Sequence, residues 1–110
     1  MHEQNSSLLQ ALKDCSVECN HCYHACFQEE DLKMMAKCIQ LDRNCADICD
    51  LTASWIASGS DHAKHLLKEC ADVCQACADE CEKHAHMEHC KRCAEVCRRC
   101  AEECRNALVS

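Results

Sequence analysis

Proline is absent from this chain of 110 residues, glycine occurs once, and tryptophan, tyrosine and phenylalanine occur once each. Tight turns draw on glycine and proline for their backbone angles, so the chain has almost no turn formers for a loop-rich fold. The scarcity of aromatics removes the side chains that usually give a core its bulk. Basic charge is short as well: 12 Lys and Arg against 19 Asp and Glu give a formal net charge of −7. That leaves nothing to build the basic stripe that nucleic-acid phosphates require, so no nucleic-acid partner is expected. No run approaches the roughly 20 apolar residues of a membrane span, so no membrane role is expected either. The N-terminal Leu8-Leu9-Gln10-Ala11-Leu12 stretch is stopped by Lys13 and Asp14 and has no basic flank. We therefore expect no export signal and a reducing, cytoplasmic compartment in which thiols stay free unless a metal takes them.

What is abundant is cysteine, 16 residues, with 8 histidines. The cysteines fall in four groups: Cys15, Cys19, Cys22, Cys26; Cys38, Cys45, Cys49; Cys70, Cys74, Cys77, Cys81; and Cys90, Cys93, Cys97, Cys100, Cys104. Steps of three and four residues trace the core-facing seam of a bundled helix, and here cysteine occupies the places leucine normally takes. Helix formers and charges fill the gaps, as a solvated outer face requires. Breaks at Glu29-Glu30-Asp31, at Ser58-Gly59-Ser60-Asp61 and around Lys83 to Glu88 divide the chain into helices over roughly 5–29, 31–57, 60–84 and 87–108. Gly59 suits a helix C-terminus, and Ser60 or Asp61 the next N-cap. Short connections make neighbours antiparallel. The expected fold is all-α: one domain over 1–110, an up-down-up-down four-helix bundle with a cysteine-lined core.

Extending the seams predicts different ends for the bundle. One collects Leu8, Leu12, Ile56, Leu67 and Ala107, with Trp55 and Leu66 beside them, and is a hydrocarbon plug. The other collects Met35, His84 and His86, with Met87 and His89 adjacent, and offers soft or borderline metal donors as an entrance for ions should. His84, His86 and His89 are candidate ligands with the 16 cysteines. His21 and His24 fall on outward positions, His62 and His65 flank the plugged end, and His2 belongs to the N-terminal tail. Asp42 occupies the seam position between Cys38 and Cys45. It can pair with a base such as Arg43, contact metal, or rotate out while Leu41 packs in.

Several chemistries compete for such a core. Cysteine is an adequate small hydrophobe, but a core of cysteine alone forgoes methylenes worth about 0.8 kcal/mol each. Residues three or four apart on a helix hold their Cβ atoms about 5–6 Å apart, too far for a disulfide along the helix. Iron–sulfur cysteines sit on irregular loops, bacterial runs ending in proline, and this chain has no proline. A catalytic cysteine needs one activated thiol and a cleft, which many equivalent thiols do not offer, so no enzyme is expected. Zinc favours four thiolates, but each such site leaves two negative charges uncompensated, and a column of them is costly to bury. Cu(I) replaces one thiol proton per ion and leaves the core neutral, and thiolate is the soft ligand it prefers. Multiple Cu(I) ions are thus the favoured cargo, with a zinc-binding or redox-buffering thiol bundle as the alternative.

The striped helices, Cys19-Asn20-His21-Cys22, the run from Leu41 to Cys49, and His84-Ala85-His86-Met87-Glu88-His89-Cys90 are similar to those of the bacterial copper storage proteins, especially their cytosolic branch. The resemblance covers nearly the whole chain, and Asp42 is the departure from it. It implies storage or sequestration of Cu(I) in a cytosolic homotetramer of bundles, with histidines at an open mouth. Beyond copper ions, a copper chaperone or client cuproenzyme is the partner to consider.

Overall fold

A computed structural model describes residues 5–109 as four helices: α1 (Ser6–Cys26), α2 (Leu32–Ala57), α3 (Ala63–Glu82) and α4 (Glu88–Val109). His2 lies outside the described residues. Each helix packs against its two neighbours in a ring, α1 on α2, α2 on α3, α3 on α4 and α4 on α1, with no backbone approach across either diagonal. The resulting rod measures 45 × 18 × 17 Å, and its axis is left to side chains. This is the antiparallel four-helix bundle that the cysteine stripes predict.

The turns explain where the helices stop. The amides of Phe27, Gln28 and Glu29 bond back to the carbonyls of His24, Ala25 and Cys26, tightening the end of α1, which closes before the expected residue 29. Asp31 then caps α2, its carboxylate accepting from the Met34 amide at 3.1 Å. At the second turn Gly59 has φ +74°, and the Ser60 amide reaches the Trp55 carbonyl at 2.9 Å while the Gly59 amide reaches Ile56 at 3.1 Å. That is the paired-bond closure of a glycine-terminated helix. Ser60 holds the His62 amide through its hydroxyl, so Ser60 to His62 form a turn and α3 begins at Ala63 rather than at 60.

All 16 cysteines are fully buried. Alanines complete the interior: Ala46, Ala71, Ala78, Ala94 and Ala101 each follow a cysteine and are buried beside it, letting neighbouring helices approach closely. Leu8, Leu12 and Leu67 close one end, with Ile56 and Ala107 partly buried against them. Among the described residues, no helix is long and apolar enough to cross a membrane.

Candidate metal centre

Because α1 and α3 run one way and α2 and α4 the other, the four stripes interleave into one column of sulfur. Nearest the leucine plug, Cys49 stands 3.8 Å from Cys70, 3.6 Å from Cys74 and 3.9 Å from Cys100, with Cys104 beside Cys70 and Cys100. Above them Cys15 lies 3.5 Å from Cys45 and 3.7 Å from Cys97, and Cys45 is 3.5 Å from Cys74. Cys19 continues the column, 3.5 Å from Cys97 and 3.8 Å from Cys93. At the far end Cys38 meets Cys81 at 3.5 Å and Cys26 at 3.8 Å, and Cys22 meets Cys26 at 3.8 Å and Cys90 at 4.0 Å. A disulfide holds its sulfurs about 2.05 Å apart, so these are separate thiols in contact.

The spacing is that of sulfurs around a shared ion. With a metal–sulfur bond of about 2.3 Å, three sulfurs placed trigonally stand about 4 Å apart and four placed tetrahedrally slightly closer. Sets such as Cys15, Cys49, Cys74 and Cys100, or Cys19, Cys77, Cys93 and Cys97, keep all their sulfurs within 4.8 Å of one another. These sets share members: Cys15, for example, belongs also with Cys19, Cys45 and Cys97. Shared thiolates that bridge ions suit a chain of monovalent metal better than isolated zinc sites, each of which needs four ligands of its own.

Asp42 points into the column. Its carboxyl is fully buried and meets the thiols of Cys77 at 3.2 Å, Cys93 at 3.4 Å, and Cys38 and Cys81 at 3.8 Å. Burial, reinforced by the Cys93, Cys77 and Cys38 thiols, pushes its pKa up to about 12, so the metal-free core holds it protonated. Arg43 does not pair with it, turning outward to Asp47 at 3.2 Å and Asn20 at 2.8 Å. With Cys22, Cys38 and Cys81, Asp42 completes a four-donor set. Of the three arrangements open from sequence, Asp42 neither pairs with Arg43 nor rotates out; it faces the thiols. Among the thiols, hydrogen bonding with Cys15 first and burial last hold Cys19 and Cys97 above the ordinary thiol range.

The histidines separate. His89 at the start of α4 places Nδ1 3.4 Å from the Cys22 sulfur and 3.5 Å from that of Cys90, forming a set with Cys22, Cys26 and Cys90. His84 is buried but turns Nε2 to Glu80 at 3.2 Å, and Glu80 also holds Lys83 at 3.3 Å. His86 is exposed: α4 begins at Glu88, so His86 sits on the turn over 83–87 rather than on the α4 seam. His21, His24, His62 and His65 are exposed as well. The donor end is covered rather than open: Met35 is fully buried, Met87 is half-buried and the His89 side chain is 13% exposed. Sequence reasoning passed over Glu80 and Glu29. Glu80 was legible, lying four residues before His84 within the helix expected over 60–84; Glu29 was not, because it meets His89 across 60 residues of chain.

Comparison with known proteins agrees with this geometry. A family model described as copper storage protein matches residues 1–109. A cysteine-rich protein of Bacillus subtilis, YhjQ, is 42% identical over 91 residues, 83% of each chain. The Cu(I)-bound copper storage protein BsCsp3 of Bacillus subtilis is 41% identical with a TM-score of 0.88, covering 93% of this chain and 95% of that one. A cytosolic copper storage protein from Streptomyces lividans carrying five coppers is 38% identical with a TM-score of 0.94, covering 99% of this chain and 95% of that one. A core of free thiols at bridging distance, in a bundle superposing this closely on copper-loaded structures, places the chain in the copper storage protein family.

Proposed function

We propose that this chain, one four-helix unit over 1–110, stores Cu(I) on the thiolates of its 16 cysteines, with Asp42 in the column and His89 at its donor end. The observation that carries the reading is a column of thiols in two contacting groups, Cys49 to Cys93 and Cys38 to Cys90, joined through the Asp42 carboxyl. Each Cu⁺ forms a bond to sulfur as an S–H bond breaks and its proton passes to water, so charge stays balanced as the column fills. The relatives are cytosolic or Cu(I)-loaded copper storage proteins, which supports a cytoplasmic store here and weighs against the zinc and redox-buffer readings. A store needs no activated thiol or substrate cleft, and we assign no enzymatic activity. His84 and His86 serve, in this reading, as outer donors that pass ions to His89. By the same family membership we read the working form as a homotetramer, supplied by a chaperone or drawn on by a client cuproenzyme. Anaerobic titration of reduced protein with Cu(I) against a competing chelator tests the store: many ions per chain are expected. Fewer than about four would contradict a core whose soft thiolates each help hold copper.

A further inference from the structure

The His89 ring is held from both sides. Toward the core, Nδ1 stands 3.4 and 3.5 Å from the sulfurs of Cys22 and Cys90. Away from it, Nε2 is 2.9 Å from a carboxylate oxygen of Glu29, which lies in the turn after α1. A carboxylate can only accept, so Nε2 must carry the hydrogen in this contact. In a neutral imidazole the other nitrogen then bears the lone pair, and that nitrogen is the one facing the sulfurs. Glu29 reaches this position because the first turn is tight: its amide bonds the Cys26 carbonyl at 3.2 Å, coupling the carboxylate to the backbone of a residue in the same donor set.

We propose that Glu29 is a positioning residue for copper uptake, fixing the tautomer and ring orientation of His89 so that Nδ1 completes a preformed donor set with Cys22, Cys26 and Cys90. Carboxylates hydrogen-bonded to the outer nitrogen of a metal-binding histidine act this way generally, and their removal costs about 10- to 100-fold in affinity or activity. The inference rests on the reading of His89 as a ligand. The rest of the column lies beyond the reach of Glu29, so total capacity is unaffected.

Three variants test it: Glu29→Ala, Glu29→Gln, whose amide oxygen still accepts from Nε2–H, and His89→Ala. In metal-free parent protein, ¹⁵N chemical shifts of His89 should report hydrogen on Nε2, and Glu29→Ala should lose that preference. The affinity for the first Cu(I) at the donor end should fall about 10-fold or more in Glu29→Ala, recover largely in Glu29→Gln, and fall at least as far in His89→Ala. Unchanged shifts and affinity in Glu29→Ala, while His89→Ala is impaired, would overturn the positioning role. Equal impairment of Glu29→Ala and Glu29→Gln would also overturn it, because charge rather than orientation would then matter. An unimpaired His89→Ala would instead overturn the ligand reading beneath it.

Discussion

A carboxyl group in the middle of a dry core is the least comfortable residue in this protein. Asp42 is fully buried with its pKa raised to about 12 from 3.8, so the folded, metal-free chain keeps a proton that the unfolded chain releases above about pH 4. Where the folded state binds more protons, stability falls as pH rises, here by up to about 1.4 kcal/mol per unit. Between pH 5 and 7, urea unfolding of metal-free protein should show the parent losing stability relative to Asp42→Asn, which has no proton to lose. Parallel profiles would mean that Asp42 is ionised in the folded state. Such a cost is tolerable if loading recovers it, and Asp42 contacts four thiols, those of Cys38, Cys77, Cys81 and Cys93. The seam position of Asp42 was readable from Cys38 and Cys45, but its direction was not. Spacing alone does not say whether a buried metal site outweighs the penalty of drying a carboxyl.

The helices are defined by their ends as much as by their stripes. Gly59 alone ends α2 with a positive φ, and a Cβ added there meets nothing within 4 Å. Gly59→Ala should therefore cost only the backbone penalty of about 1–2 kcal/mol, read as a lower midpoint in thermal or urea unfolding. Copper capacity should be unchanged, since the turn lies at the plugged end. A loss of copper binding in a folded Gly59→Ala protein would show the ends to be linked. Steps of three and four make all four helices and their inward faces legible in the sequence. The ends were less so, since residues 27–29 and 60–62 carry helix-compatible side chains yet follow tight turn hydrogen bonds that spacing does not reveal. His86 was misplaced for this reason: a seam continued past the true start of α4 assigns a helical direction to a turn residue.

The molecule as a whole is a rod whose interior is sulfur and methyl rather than leucine. Without metal it lacks much of the hydrocarbon that stabilises an ordinary bundle, at about 0.8 kcal/mol per absent methylene. Copper bound only by the folded chain supplies the difference, each site adding about 2.7 kcal/mol when free ligand exceeds Kd 100-fold. One kcal/mol moves the midpoint of a domain this size by roughly 4–8 °C, so loading should raise Tm well beyond 10 °C and stripping with a Cu(I) chelator should reverse it. A midpoint indifferent to copper would favour a thiol bundle with no metal role. The bundle, its plugged end and its inward-facing cysteines were legible because cysteine marks the core so plainly. The contact of Glu29 with His89 was not, being a matter of how two distant turns meet.

The leucine plug imposes an order of traffic. Leu8, Leu12 and Leu67 offer a departing ion no atom to hold, whereas the other end carries Met35 and the His89 nitrogen facing Cys22. A one-ended container of this kind would work as last in, first out: under the proposed reading, ions around Cys49, Cys70 and Cys104 would form a long-term reserve, and those around Cys22, Cys26 and Cys90 the working balance exchanged with the surroundings.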